Sequence, residues 1–124
     1  MKPNIIIDIY SDVVCPWCYI GLNKIKQVTN EYLKKTKFEL IWRPFQLNPD
    51  IALEGIERNK YLSNKFGGSK NSKKVYDKIY KEGLNNNIYF KFEKIKLTPN
   101  SFALLKLMAL AHKYNKQTQV VETL

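Results

Sequence analysis

The sequence predicts an α/β fold that opens with a βαβ unit and continues as a run of helices. Three observations indicate this. A short apolar run rich in β-branched residues opens the chain, an amphipathic stretch follows it, and a second apolar run ends at Pro44. Two strands joined through a helix lie parallel in one sheet. After Pro44 most of the chain carries helical patterns, so we expect a helical region there.

The first 44 residues supply the strands and the helix of this unit. Residues 5–11 are almost continuously apolar, which is typical of a strand covered on both faces in a parallel sheet, and Asp8 interrupts the run. Residues 17–35 place apolar side chains at helical spacing, with lysines on the other side. Residues 38–43 predict the second strand, which Pro44 ends.

A turn-rich connector over residues 45–50 leads into the predicted helical region. Residues 53–65 predict a short helix that ends at the glycines 67 and 68, and residues 73–82 predict a second one that ends at Gly83. Residues 88–96 alternate weakly between polar and apolar side chains, which predicts an extended edge.

The last predicted helix, residues 102–111, is apolar on nearly all sides, and Asn100 or Ser101 is expected to cap it. Only Lys106 is polar within it. Ten residues are too few to span a bilayer. We therefore expect a core helix buried between the βαβ unit and the short helices.

Composition indicates one soluble domain of 124 residues, with 44% apolar residues and 16 aromatic ones. No signal-peptide core or transmembrane segment is visible, so we expect a cytoplasmic protein without a membrane partner.

The net charge of +10 makes nucleic acid a candidate partner. The excess comes from 19 lysines spread along the chain and only two arginines, a pattern that favours solubility over specific nucleic-acid binding.

The two cysteines, Cys15 and Cys18, stand three positions apart between the first strand and the first helix. This placement predicts a redox-active dithiol. A helix that begins at Pro16 points its free N–H groups at Cys15 and favours the thiolate there, which makes Cys15 the expected nucleophile. Cys18, one turn on, is expected to resolve the mixed disulfide. Trp17 is expected to be exposed beside the sulfurs, as part of a peptide-binding face.

Other uses of a Cys-x-x-Cys pair are weaker. Structural zinc needs four ligands, and besides the cysteines the chain offers only His112, so zinc would require a dimer. His112 ends the last predicted helix, where the helix dipole favours a cation. This position accounts for the histidine better than a role as a catalytic base does. Haem attachment needs a histidine after the second cysteine, and residue 19 is Tyr. Two buried, inert cysteines stay an alternative. We expect no metal and no organic cofactor.

The stretch of residues 8–21, Asp-Ile-Tyr-Ser-Asp-Val-Val-Cys-Pro-Trp-Cys-Tyr-Ile-Gly, resembles the opening of the DsbA-family oxidoreductases, in particular their FrnE-like branch. Residues 42–50, Trp-Arg-Pro-Phe-Gln-Leu-Asn-Pro-Asp, are similar to the second strand and exit of that branch. The resemblance extends over residues 5 to about 115. It implies a thioredoxin-like βαβ unit followed by an α-helical insertion.

The same resemblance implies that the C-terminal ββα half, which starts at a strand preceded by a cis-proline, is missing from this chain. The expected organisation is therefore residues 1–45 as the N-terminal part of a thioredoxin-like domain and residues 46–124 as an incomplete helical insertion. A two-stranded sheet with open edges is marginal alone. The chain is then a truncated product, a piece cut from a longer one, or half of an enzyme that a complementing chain or a dimer completes.

The function implied is thiol–disulfide exchange of DsbA type, with protein or small-molecule thiols and disulfides as substrates and glutathione as electron partner. The alternative is a non-catalytic fragment, or half of a split oxidoreductase. Trp17 stands where DsbA has histidine, which predicts a weaker oxidant than DsbA. Asp8 resembles the buried acid beneath the resolving cysteine of thioredoxin, which would take the proton of Cys18. Equally, Asp8 caps a turn or pairs with a cation.

Overall fold

In the computed structural model, which describes residues 1–124, the chain forms two units, residues 1–47 with 101–124 and residues 48–100. In chain order the elements are β1 (Asn4–Ser11), α1 (Pro16–Tyr32), β2 (Lys37–Pro44), β3 (Ile56–Glu57), α2 (Arg58–Phe66), α3 (Ser69–Asn85), a 3-10 turn (Phe92–Lys94), β4 (Leu97–Thr98), α4 (Phe102–Lys113) and α5 (Gln117–Thr123).

The βαβ unit that the sequence predicts is confirmed. Strands β1 and β2 pair in parallel, from Asn4 opposite Lys37 to Ser11 opposite Pro44. Helix α1 connects them, with Ile20 and Leu22 buried on its inner face. The predicted and observed ends of each strand agree within one residue. This agreement follows from strong local signals, since β-branched runs and a terminal proline are hard to accommodate in helices.

The expectation that β1 is covered on both faces is wrong in this chain. The sheet has two strands only, and β1 pairs along one edge. Ile6 is 56% exposed and Tyr10 is 70% exposed, whereas Ile9 packs on the core. An apolar run predicts burial only when a further layer is present to cover it.

Residues 101–124 belong to the first unit, although the sequence assigned everything after residue 45 to the helical region. The reason is the core, in which Leu105 and Met108 of α4 lie against Leu22 and Trp42. Met108 and Trp42 are almost fully buried. The chain leaves this unit at Leu47 and returns to it at residue 101 to complete that core.

The expectation that α4 is buried on all sides is also wrong. Leu105, Met108 and Ala111 are buried, as helical spacing requires of one face. Phe102 and Leu110 are each 53% exposed on the opposite side. The helix therefore packs through a single stripe on β2 and α5. No helix in the chain combines the length and the apolar content needed to cross a membrane.

Helix α5 was not predicted, and it protects the outer edge of β2 through one side chain. Gln117, which is buried, accepts a hydrogen bond from the Trp42 N–H at 2.9 Å and donates to the Trp42 carbonyl at 2.9 Å and the Met108 carbonyl at 3.0 Å. Thr118 accepts from the Trp42 indole N–H at 3.0 Å. The amide of Gln117 thus takes the place of a neighbouring strand at that point of the edge.

The second unit packs α2 against α3 beside a short antiparallel pair, β3 and β4. The helix predicted over residues 53–65 begins only at Arg58, because Gly55 has a positive φ of 87° and Glu57 caps α2 by accepting from the N–H groups of Asn59 and Lys60. The strand predicted over residues 88–96 is absent. Its aromatic side chains pack together instead, with Phe92 edge to face against Tyr76 at 4.8 Å between ring centroids.

Candidate active site

Cys15 occupies the N-cap of α1, and Pro16 is the first helical residue, as the sequence predicts. The Cys15 N–H donates to the Asp12 carbonyl at 3.3 Å, and the Cys15 carbonyl accepts from the Tyr19 N–H at 3.2 Å. These bonds close the turn between β1 and α1 and fix the backbone on both sides of Cys15. Cys15 and Cys18 are both free thiols, and both are partly buried.

The two thiols form a hydrogen bond with each other. That bond, followed by burial, raises the pKa of Cys15, although the N–H groups of Cys18 and Trp17 act in the opposite direction. The same bond lowers the pKa of Cys18 to about 6. Because one proton lies between the two sulfurs, the pair titrates as a unit, whose first ionisation falls below the ordinary thiol value of 9.0 and whose second rises above it.

The backbone amides at the start of α1 are therefore aimed at Cys15, as expected, but they do not decide its ionisation. The hydrogen bond between the two thiols and their burial outweigh these amides in setting the first and second ionisation of the pair. The reduced pair therefore shares one thiolate between Cys15 and Cys18 at neutral pH. This distribution is a property of two neighbouring sulfurs, and helix position alone does not predict it.

The end of β1 supplies further donors to Cys18. The Asp12 N–H and the Ser11 hydroxyl both donate to its sulfur and lower its pKa. Ser11 is buried, and its carbonyl accepts from the Phe45 N–H at 3.0 Å, so the strand end is fixed where the chain leaves β2. A thiolate that accepts such bonds is stabilised relative to the thiol.

The carboxylate of Asp12 joins three segments of the first unit. One oxygen accepts from the Leu47 N–H at 2.9 Å and from the Ser101 hydroxyl at 3.1 Å. The other accepts from the Val14 N–H at 3.4 Å. Only 2% of Asp12 is exposed. The turn before the cysteines is in this way held to the residues that follow β2 and precede α4.

Asp8 does not occupy the buried place expected for a proton acceptor. Its carboxylate accepts from the Arg43 guanidinium at 2.8 Å, and the Asp8 side chain is 47% exposed. The expectation of burial is wrong, and the alternative, pairing with a cation, is what the structure has. Trp17 is 43% exposed, which agrees with a place on the surface beside the sulfurs.

Asp12, Ser11 and Ser101 support the dithiol turn, and the sequence did not single them out. A signal for Asp12 was present, because an Asp three residues before a helix N-cap is placed to bond the N–H groups of the turn. Its burial depends on Leu47 and Ser101, which are distant in sequence. No group of three or more His, Cys, Asp or Glu side chains is arranged to hold a metal ion.

Comparison with known proteins agrees with this arrangement. The model of the DSBA-like thioredoxin domain family matches residues 6–124. The uncharacterized protein YwbO of Bacillus subtilis (strain 168) is 42% identical over 43 residues, which are 35% of this chain and 20% of that protein.

The crystal structure of probable DsbA oxidoreductase SCO1869 from Streptomyces coelicolor superposes with a TM-score of 0.79 at 21% identity, over 94% of this chain and 50% of that one. This similarity shows the fold. The matched residues cover a fifth of the length of the first relative, and the chain spans half the length of the second. With a family model matched over nearly all of its residues and the thioredoxin-like architecture in place, the chain belongs to the DSBA-like thioredoxin domain family.

Proposed function

We propose that this protein exchanges disulfides with protein or small-molecule thiols through Cys15 and Cys18, as an oxidoreductase of DsbA type. The observation that carries the proposal is the hydrogen bond between the two thiols at the N-terminus of α1, with the pKa of Cys18 lowered to about 6. A pair that ionises below neutral pH supplies a thiolate under physiological conditions.

Cys15 attacks one sulfur of a substrate disulfide and passes its proton along the existing hydrogen bond to Cys18. A bond forms between Cys15 and the substrate, and the other substrate sulfur leaves as a thiolate that takes a proton from water. Cys18 then gives its proton to water and attacks the Cys15 sulfur, and the second substrate sulfur leaves as a thiolate that takes a proton from water. The substrate gains two electrons and two protons, and the pair becomes a disulfide. The reverse sequence oxidises a substrate dithiol.

Single cysteine variants test these roles. Purified Cys18→Ser and Cys15→Ser proteins are incubated with oxidised glutathione, and the adducts are measured by mass spectrometry. We expect Cys18→Ser to accumulate a stable glutathione adduct at Cys15, and the unaltered chain to form the Cys15–Cys18 disulfide. An adduct of equal yield in both variants contradicts the assigned roles. A chain that forms no internal disulfide contradicts the proposed function.

We place the protein in the FrnE-like branch, in the cytoplasm, with glutathione as its electron partner. The resemblance over residues 8–21 supports the branch. In a reducing compartment the pair rests as the dithiol and forms its disulfide transiently. We therefore expect a mixed disulfide between the protein and glutathione that can be trapped. We expect the Cys15–Cys18 pair to exchange with glutathione at the redox potential of that compartment.

The second candidate is half of a split oxidoreductase. The free edge of β1 favours it, since β1 pairs with β2 alone, and Ile6 and Tyr10 are exposed on its uncovered face. An unpaired strand edge is a site for another strand. Under this candidate the chain alone forms its Cys15–Cys18 disulfide and yet fails to turn over a protein disulfide until a complementing segment is added.

A further inference from the structure

The outer face of α4 carries a row of exposed apolar side chains. Leu107, Leu110 and Tyr114 are 45%, 53% and 62% exposed, and Ala103 is exposed in line with them. Their spacing of four, three and four residues places all four within an arc of about 60° around the helix axis. These four residues are called the α4 seam below. An exposed apolar row of this kind is a mark of an interaction surface, whereas scattered apolar side chains are not.

One flank of the α4 seam is cationic. The spacing of the seam is that of the a and d positions of a heptad, and in this register Lys106 and Lys113 both occupy position g. Lys106 lies over the ring of Phe102 at 5.6 Å, and Lys113 lies over the ring of Tyr114 at 6.0 Å from the centroid. Neither ammonium forms an ion pair within the chain. Both charges are therefore available to a partner.

The other flank of the α4 seam belongs to the core of the first unit. Leu104 and Ala111 stand at its two e positions, and Ala111 is buried while Leu104 is half-buried. A helix that lies along the seam therefore meets charged side chains on one side only, the side of Lys106 and Lys113.

These charges decide which kind of helix fits the seam. In an antiparallel pair of helices the g positions face each other, so a second copy of this chain would set lysine against lysine. Two chains that each carry a net charge of +10 also repel. A helix of another protein with carboxylates on its flank meets the same lysines with opposite charge. Charge complementarity therefore favours an acidic partner over a second copy.

We propose that the α4 seam docks an amphipathic helix of another protein, with large apolar side chains at its a and d positions and Glu or Asp on the flank that meets Lys106 and Lys113. Apolar contact along the seam supplies the affinity, and the two lysines select the partner and its orientation. This role is independent of the chemistry of Cys15 and Cys18.

Two synthetic peptides of about three heptads are the probes. Both carry Leu at every a and d position and Ala or Gln at b, c and f. One carries Glu at e and g, and the other carries Lys there. Binding of each labelled peptide to the reduced, unaltered chain is measured by fluorescence anisotropy. We expect the Glu peptide to bind about three- to tenfold more tightly than the Lys peptide. Saturable binding of neither peptide, or equal binding of both, overturns the proposal.

A matched pair of leucine variants tests the place of binding. Leu110→Gln is expected to weaken binding of the Glu peptide about five- to tenfold, because it removes an apolar side chain from the contact. Leu53→Gln makes the same change at a site that is 84% exposed and outside α4, and it is expected to leave binding within about twofold of the unaltered value. Equal losses in the two variants overturn the assignment to the α4 seam.

A matched pair of charge variants separates the flank from the net charge of the whole chain. Lys106→Glu, Lys113→Glu is expected to reverse the order of the two peptides, so that the Lys peptide binds more tightly. Lys34→Glu, Lys35→Glu makes the same change in net charge at exposed positions outside α4 and is expected to keep the original order. The same order of affinities in both variants overturns the role of the flank.

Sedimentation equilibrium of the reduced, unaltered chain without peptide tests the rival occupant. A monomer is the expected result, because the g lysines and the net charge oppose self-association. A dimer that Leu110→Gln dissociates would assign the α4 seam to a second copy of this chain and would overturn the proposed partner.

Discussion

The hydrogen bond between Cys15 and Cys18 sets the ionisation of both thiols before any substrate binds, because the two sulfurs share one proton. Burial opposes ionisation of both sulfurs, and the bond overcomes it for Cys18 only. The donors from Ser11 and Asp12 add to this effect, while the charge of Asp12 opposes it. The reactivity of the site is thus set by four residues at the junction of β1 and α1.

The side chain at position 15 tests the thiol–thiol bond. In Cys15→Ala, Cys18 loses its largest stabilising donor, so its pKa is expected to rise toward the ordinary thiol value of 9.0. In Cys15→Ser, a hydroxyl remains to donate, and the pKa of Cys18 is expected to stay lower than in Cys15→Ala. Thiolate absorbance against pH in both proteins checks this. Equal values in the two variants contradict a donor role for residue 15.

At this scale the sequence predicts the reactive cysteines better than it predicts the residues that support them. Cys15 at a helix start and Pro16 as the first helical residue are local features, and both are confirmed. Asp12 depends on partners about 35 and 89 residues away, which no local pattern encodes. The expected burial of Asp8 is wrong because the sequence of a strand does not show which of its faces is covered when the covering layer is unknown.

Among the elements, β2 and α5 depend on each other through Gln117. A buried amide that bonds both polar groups of Trp42 satisfies an edge that would otherwise need a strand or water. Trp42 in turn lies at the centre of the core with Met108. The last helix is therefore a structural part of the first unit.

Gln117→Ala is expected to destabilise the protein by about 2–4 kcal/mol, because three buried backbone groups lose their partner. Gln119→Ala, on the exposed side of the same helix, is the matched control, with an expected change of less than about 0.5 kcal/mol. Urea unfolding at equilibrium measures both. Similar costs for the two variants contradict the role of Gln117 at the strand edge.

Replacing two helical glycines by alanine is expected to change the stability of the protein in opposite directions. A Cβ at Gly83 in α3 would lie 2.8 Å from the ring of Phe90 and 3.0 Å from the Ile88 carbonyl, whereas a Cβ at Gly21 in α1 meets nothing within 4 Å. Gly83→Ala is expected to cost about 1–3 kcal/mol through overpacking. Gly21→Ala is expected to stabilise by about 0.5–1 kcal/mol through helix propensity. Thermal unfolding distinguishes them, and the same sign for both contradicts the packing of α3.

The βαβ elements were predictable since each carries its own periodicity, and the helices after Pro44 were predictable in type but not in extent. Because Gly55 has a positive φ, α2 begins only at Arg58. A positive φ cannot be predicted from the sequence where no tight turn motif surrounds the residue. The exposed side of α4 was missed because an apolar sequence indicates a preference for burial and does not supply the partner.

At the scale of the whole molecule, the ionisation of the dithiol is linked to folding. Cys18 has a folded-state pKa of about 6 against an ordinary value of 9.0, and the pKa of Cys15 is raised above that value. Between pH 6 and pH 9 the unfolded chain therefore binds more protons than the folded one. Above pH 9 the folded chain binds more, because Cys15 keeps its proton.

The stability of the reduced protein is consequently expected to rise between pH 6 and pH 9 and to fall above pH 9, relative to a Cys15→Ser, Cys18→Ser double variant that lacks both ionisations. Denaturant unfolding of the two proteins at several pH values gives this difference directly. A difference that does not vary with pH contradicts the folded-state pKa values assigned to the pair.

The pH dependence of alkylation of the reduced, unaltered chain tests the central claim most directly. Iodoacetamide reacts with thiolates, so its rate follows the first ionisation of the Cys15–Cys18 pair. The account predicts an inflection near pH 6, set by the hydrogen bond between the two sulfurs. A single inflection near the ordinary thiol value of 9.0 would contradict it.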